Sequence, residues 1–178
     1  MTLLKSTALG VAAALSLASA VLPASQAAPT AYASLINAAG EEIGMARMIQ
    51  GATGVLIHVR VEGLTPGAHG LHLHSHGICD AHEGFKTAKG HVGKVEGGHG
   101  LLNPNGPEPG DIPNIFVGAD GLGEMEAYSP RVSLVKGPNN LIDADGSTFI
   151  IHEKADDHVT QPIGGAGGRV ACGVIVAG

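Results

Sequence analysis

The run Gly54 to Val61 contains Val55-Leu56-Ile57-His58-Val59-Arg60-Val61, which is rich in β-branched residues and partly alternates apolar with polar side chains. That is the pattern of a half-buried strand. Other short apolar runs follow the same rhythm: Ala31 to Ile36, Gly44 to Gln50, Gly70 to His74, Ile115 to Val117, Met125 to Tyr128, Arg131 to Leu134, Thr148 to His152 and Arg169 to Val176. Turn-forming residues such as Ala119-Asp120-Gly121 and Asp143-Ala144-Asp145-Gly146 separate them. In the run Gly70 to His74, period-2 alternation sends Leu71 and Leu73 to one face and His72 and His74 to the other. Beyond the N-terminal segment no stretch sustains a 3.6-residue apolar period. The pattern therefore predicts an all-β fold, an antiparallel sandwich or barrel. Two intervals break the rhythm, Ser75 to Asn114 and Glu153 to Gly168. Long loops of this kind in a compact domain are usually functional, and these hold five of the ten histidines.

Composition agrees with that picture. The chain has 178 residues, enough for one domain, with 28 glycines, no tryptophan and 3% aromatics. Glycine at roughly double its usual share of about 7% suits tight turns between short strands. A formal charge of −6 argues against nucleic-acid binding, which needs basic patches. At the N-terminus, Lys5, the small apolar stretch Ala8 to Leu22 and the triplet Ser25-Gln26-Ala27 read as a signal peptide over residues 1–27. The stretch is shorter than the roughly 20 apolar residues a spanning helix needs; the alternative is a core helix. Cleavage leaves a domain over residues 28–178, soluble and periplasmic or secreted, with no membrane attachment. Removing Lys5 makes that domain one charge more negative than the whole. Export also bears on Cys79 and Cys172, because an oxidising compartment favours pairing them; two free buried thiols are the alternative.

Ten histidines against two cysteines point to metal chemistry without iron–sulfur clusters. His72 and His74, two apart on a strand, can converge on one ion. His91, His99 and His152 lie in or beside the long loops, with Asp111 nearby, a ligand mixture that suits copper or zinc.

Three segments resemble motifs of the copper–zinc superoxide dismutases: Gly67-Ala68-His69-Gly70-Leu71-His72-Leu73-His74, Ile150-Ile151-His152-Glu153-Lys154-Ala155-Asp156-Asp157 and Gly168-Arg169-Val170-Ala171-Cys172-Gly173-Val174-Ile175. The resemblance runs from about Ala31 to Ile175. It implies a Greek-key antiparallel β-sandwich or flattened barrel with two long functional loops. Copper would be held by His72, His74, His91 and His152. Counting from His91, residues His99, Glu108 and Asp111 stand 8, 17 and 20 positions on. That is the family's spacing for a bridging histidine and three further zinc ligands, so His91 would bridge copper to zinc. The implied activity is dismutation of superoxide to oxygen and hydrogen peroxide by redox-cycling copper, with His91 passing a proton. Arg169 is implied as the anion guide and Asp156 as the carboxylate accepting the ring N–H groups of His72 and His99. Because the domain's net negative charge repels an anion, a local field from Arg169 and Lys154 is expected to dominate near the copper. His69 is expected to pack rather than ligate, and His76, His82 and His158, which the motifs do not explain, to lie at the surface.

Two departures stand out. Glu108 occupies a position where the family usually has histidine, and Val92-Gly93-Lys94 replaces the Asn-Pro that normally follows the bridge. Glu108 either ligates zinc, giving a harder and more anionic site, or turns to solvent and leaves zinc weak or absent. That departure keeps a second reading in view, an exported copper-binding or buffering protein with little turnover. The family's oligomeric contacts vary, and a homodimer is among the states it allows.

Overall fold

The computed structural model describes residues 27–178; apart from its last residue, the segment read as a signal peptide, 1–27, lies outside the described residues. Ten strands form: β1 (Thr30–Asn37), β2 (Glu42–Gln50), β3 (Val55–Val61), β4 (Gly67–His69), β5 (Leu71–His74), β6 (Ile115–Val117), β7 (Gly123–Ser129), β8 (Thr148–His152), β9 (Arg169–Val174) and β10 (Val176–Ala177). Among the described residues the only helical element is a 3-10 turn at Lys86–Ala88.

The strands lie in the order β4-β6-β7-β3-β2-β1-β9-β8-β5, all antiparallel, with β10 added to β1. β3 and β4 are neighbours in sequence but are separated in the sheet by β7 and β6, which is a Greek-key crossover. The two ends of the order, β4 and β5, are one run of chain interrupted only at Gly70, so the sheet nearly closes on itself. The switch of partners needs glycine. A Cβ at residue 70 would lie 2.9 Å from the Cβ of Ala166 and 3.3 Å from that of Asp156, tighter than ordinary packing allows.

The alternation read from Val55 to Val61 is realised in β3, whose Val55, Ile57, Val59 and Val61 are fully buried. They join Leu35, Met48, Leu71, Leu73, Ile115, Phe149 and Ile151 in one core. A smaller cluster of Phe85, Ala88, Ile150 and Cys172 lies beneath the first long loop. Cys79 and Cys172 are disulfide-bonded, with Cα atoms 5.7 Å apart across 93 positions. The bond fastens the start of that loop to β9.

Two strand expectations need correction. Arg131 to Leu134 is not a strand; apart from one isolated bridge between Ser133 and Asn140 it is irregular, with a turn at Arg131 and a bend at Leu134. Its Val132 and Leu134 are core residues, but the Leu134 N–H is taken by the Gln50 side chain at 2.7 Å rather than by a neighbouring strand. Apolar side chains can anchor a turn as well as a strand. Arg169 to Val176 divides into β9 and β10, because the Ile175 N–H turns away to the Ser147 carbonyl at 2.9 Å.

Replacing both Cys79 and Cys172 by serine is expected to lower the unfolding free energy by about 4–5 kcal/mol, the chain-entropy value for so long a loop. Denaturant midpoints of the two forms check this; an unchanged midpoint would mean that the Phe85 cluster alone holds the loop.

Candidate metal centre

β5 supplies the first two histidines. Leu71 and Leu73 enter the core, and His72 and His74 point the other way, yet all four are buried. The reason is that β5's second edge is covered by the first long loop. The Val92 N–H donates to the Leu73 carbonyl at 2.9 Å, and the Leu73 N–H to the Gly110 carbonyl at 2.9 Å. Isolated bridges pair His74 with His91 and His72 with Asp111. Gly110 permits this close approach, since a Cβ there would stand 2.4 Å from the Leu73 carbonyl oxygen. In this way His91, 17 positions from His74, and Asp111, 39 positions from His72, arrive beside β5.

The structure brings together the four histidines expected on copper. The His72 ring lies 4.3 Å from that of His91 and 4.8 Å from that of His152, and His74 lies 5.0 Å from His91. Each ring is held through one nitrogen. His72 Nε2 donates to Asp156 at 2.7 Å, His74 Nδ1 to the Lys89 carbonyl at 2.8 Å, His152 Nδ1 to the Gly167 carbonyl at 3.1 Å and His91 Nδ1 to Glu108 at 2.7 Å. The other nitrogen of each ring (His72 Nδ1, His74 Nε2, His91 Nε2 and His152 Nε2) is buried with no hydrogen-bond partner. Buried polar atoms are rarely left so.

Behind His91 lies a second, carboxylate-rich group. His99 Nδ1 donates to Asp111 Oδ1 at 2.8 Å, and His91 Nδ1 lies 3.2 Å from the same oxygen. Asp111 Oδ2 accepts the Gly100 and Glu108 N–H groups at 2.7 and 2.9 Å. Glu108 does not turn to solvent. It is 3% exposed, with one oxygen on His91 and the other accepting the Val95 N–H at 2.8 Å. Asp156 joins the two groups, accepting from His72 at 2.7 Å and from His99 at 3.2 Å.

Ligand-atom separations give two sets that could each hold an ion, every atom within 4.8 Å of the others: His72, His74 and His152; and His72, His91, His99 and Asp111. His72 falls in both, but its Nε2 is committed to Asp156, so its free Nδ1 belongs with His74 and His152. Both sets fit the expected metals on chemistry. The first offers only imidazole nitrogens, which suits copper. The second mixes imidazole with carboxylate at tetrahedral ligand number once Glu108 is counted with His91, His99 and Asp111, which suits zinc.

The electrostatics follow from burial. Burial pushes His72 down to about 4, with the Asp156 hydrogen bond opposing, and His152 to about 4, with the charge of Arg169 adding to the effect. His74 is driven well below its ordinary value by burial and by the His91 and Arg169 charges. These rings are neutral, as ligands must be. For His99 burial is outweighed by hydrogen bonds to Asp111 and Asp156, which hold its pKa up at about 10. Asp111 and Asp156, despite burial, are held well below the ordinary carboxylate range by their histidine partners.

Arg169 is half-buried at the edge of the cluster. Its Nη1 and Nη2 donate to the carbonyls of Phe85 and Lys89, each at 2.6 Å. The cavities over the cluster are lined by Arg169 with Lys86, Lys89 and Lys94, and Lys154 is not among their lining residues. The three lysines show no local motif and come together only when the loop folds over β5. His69 is buried with its ring nitrogens on the carbonyls of His152 and Thr65, at 2.7 and 2.8 Å. His158 is not a surface residue but lies partly buried beside Asp156, with its Nδ1 3.5 Å from the carboxylate. His76 and His82 belong to neither ligand set.

A family model described as Copper/zinc superoxide dismutase (SODC) matches residues 42–175. A Caulobacter vibrioides protein named Superoxide dismutase [Cu-Zn] is 49% identical over 139 residues, 76% of this chain and 79% of that protein. Superoxide dismutase [Cu-Zn] 2 of Aquifex aeolicus is 44% identical over 147 residues, 82% of this chain and 85% of that protein. Among solved structures, a double mutant of an SOD-like protein from Bacillus subtilis superposes with a TM-score of 0.76 at 40% identity, covering 80% of this chain and 95% of that one.

The pKa shifts predict the pH dependence of the metal-stripped protein. His72 and His152, at about 4 when folded, stabilise fully above the unfolded value of 6.5 and lose that contribution as pH falls from 6.5 through 4. His99, at about 10, stabilises fully below 6.5 and loses its contribution as pH rises from 6.5 through 10. Asp111 and Asp156 add a loss only in acid below their ordinary 3.8. Thermal melts across this range should peak near neutrality and fall on both sides; a flat profile would contradict these protonation states.

Proposed function

The chain belongs to the copper/zinc superoxide dismutase family, and on that premise we propose that it dismutates superoxide through copper at His72, His74, His91 and His152, with zinc at His91, His99, Glu108 and Asp111. The observation that carries this reading is the set of four buried, unpartnered imidazole nitrogens beside a fixed arginine. Copper in a nitrogen site supplies the one-electron exchange in each direction that dismutation needs, and zinc, which has no redox chemistry, supplies charge and rigidity.

The residues divide the remaining work. Asp156 fixes the tautomers of His72 and His99 by accepting one N–H from each, the support that metal-bound histidines generally need. The backbone carbonyls of Lys89 and Gly167 do the same for His74 and His152. His91 has Nδ1 toward Glu108 and Asp111 and Nε2 toward the other three histidines. It can therefore hold a proton at Nε2 and release it to a reduced substrate in the same place, while the carboxylate side keeps the ring oriented. Arg169 offers a permanent positive charge, with no carboxylate among its hydrogen-bond partners, to a small anion. The disulfide supports an oxidising compartment, so export by a cleaved segment 1–27 and a mature domain 28–178 complete the reading.

The first test is metal content and superoxide turnover of the copper- and zinc-loaded domain. One copper, one zinc and fast turnover are expected; bound copper with negligible turnover would replace the enzyme by an exported copper buffer. Glu108→Gln is expected to weaken zinc about tenfold or more while copper content persists, and unchanged zinc affinity would remove Glu108 from the ligand set. Arg169→Ala is expected to lower kcat/KM about tenfold with the loss of steering and orientation, measured at low ionic strength.

A further inference from the structure

Of the four residues placed on zinc, three have main chains tied to the sheet or to one another. His91 and Asp111 are bridged to His74 and His72 of β5. The Asp111 N–H donates to the Glu108 carbonyl at 3.0 Å, and the Glu108 N–H to Asp111 Oδ2 at 2.9 Å. His99 differs. It lies outside every strand, and among the described residues its main chain makes no hydrogen bond to another main chain. Side chains hold it instead. Its N–H donates to Gln161 Oε1 at 3.2 Å, and its carbonyl accepts from Gln161 Nε2 and from Asn103 Nδ2, each at 2.8 Å.

Asn103 stands four residues on in the same loop, whereas Gln161 comes from the second long loop, 62 positions away. Three bonds agree on the orientation of the Gln161 amide. Its oxygen faces the one N–H, and its nitrogen faces two carbonyls, the second being that of Val159 at 2.9 Å. Gln161 is exposed, so water is available to both ends of its amide, and ordering so long a side chain costs rotamer entropy. It is nonetheless committed at both ends to main chain, as a neighbouring strand would be.

A matching tie runs the other way. Asp156, which accepts from His99 Nε2 at 3.2 Å, also has no main-chain partner for its own main chain among the described residues. Asn114, at the end of the first loop, accepts the Asp156 N–H and donates to the Asp156 carbonyl, both at 2.9 Å. Each loop therefore sends one amide side chain to grip the other, and the two grips fall on the two residues that meet in the His99–Asp156 hydrogen bond.

We propose that Gln161 is a positioning residue for the zinc site: by gripping the His99 main chain from the second loop, it sets, before any metal arrives, where the His99 ring stands between Asp111 and Asp156. The effect on zinc rests on the reading of His99 as a zinc ligand, but the grip does not.

Gln161→Met keeps the length of the side chain and removes both its donor and its acceptor. Amide hydrogen exchange of the metal-free protein reads the grip directly. The His99 amide should exchange about tenfold faster, with the Asp156 amide changed less and the β3 amides at wild-type rates. In competition with a chelator the variant should bind zinc about tenfold more weakly, while its copper affinity stays within about twofold of wild type. Cobalt placed in the zinc site should show altered visible absorption bands, a signature of changed ligand geometry that lost stability alone does not move. A His99 amide that exchanges at the wild-type rate overturns the grip. Faster exchange with zinc affinity and cobalt bands unchanged overturns the positioning role. So does a loss of copper as large as the loss of zinc, because that marks a general loosening of the second loop. Faster His99 exchange in the variant of a protein whose wild-type form binds no zinc supports the grip and removes the zinc reading instead.

Discussion

Each of the four central histidines has one ring nitrogen satisfied by a carbonyl or carboxylate and the other buried without a partner. An unsatisfied buried polar group costs about 1–3 kcal/mol, and four together are a large fraction of the roughly 5–15 kcal/mol by which a domain is stable. Such an arrangement persists only if the surroundings over-determine it. Three features do so. β5 is hydrogen-bonded along both edges, by β8 and by the long loop. The disulfide fastens that loop to β9. Asp156, itself fully buried at its side chain, reaches from His72 to His99. The barrel is the rigid part, and the loop that closes over it inherits its precision from pairing with a strand. That is why an interval as long as Ser75 to Asn114, with little strand signal, can position histidines as well as a helix would.

Much of the fold was legible because strand periodicity is local. β3 and β5 declare themselves through alternation within a few residues, and the tight turns through glycine and aspartate. Arg131 to Leu134 misled for the same reason: its apolar residues do enter the core, but whether a backbone pairs with a neighbour depends on Gln50, which is far away in sequence. The pairing of residues 90–92 and 110–111 with β5 was equally invisible, since no local pattern marks a loop segment that borrows a strand's edge. The histidines were readable through spacing, whereas the tautomer of each depends on carbonyls such as those of Lys89 and Gly167, which any residue can supply.

Glu108 shows how far spacing alone can carry. Its position in the series from His91 marked it, but not which way its side chain would turn. The structure answers through the backbone: the Val95 N–H takes one oxygen and thereby aims the other at His91. The result is a group of two imidazoles and two carboxylates in which each ring is held by a carboxylate oxygen. A harder, more anionic donor set of this kind favours a divalent cation with oxygen affinity, and it places negative charge directly behind the residue that faces the copper histidines.

That negative charge sharpens a physical problem. A protein of formal charge −6, whose central cluster is backed by Glu108, Asp111 and Asp156, should repel a small anion. Screening resolves part of it, because at physiological ionic strength charges more than about 8 Å away are largely damped. What an approaching anion senses is the rim, not the sum. At the rim stand Lys86, Lys89, Lys94 and Arg169, while the carboxylates face inward and are occupied by N–H groups. The same chain can therefore be acidic as a whole, anionic behind its metal ligands and cationic at its entrance, provided the loop over residues 84–94 keeps its lysines outward. The strained backbone of Lys89 and the two carbonyls that clamp Arg169 belong to that one loop, so the orientation of the ligand His74 and the sign of the field at the entrance are set by the same few residues.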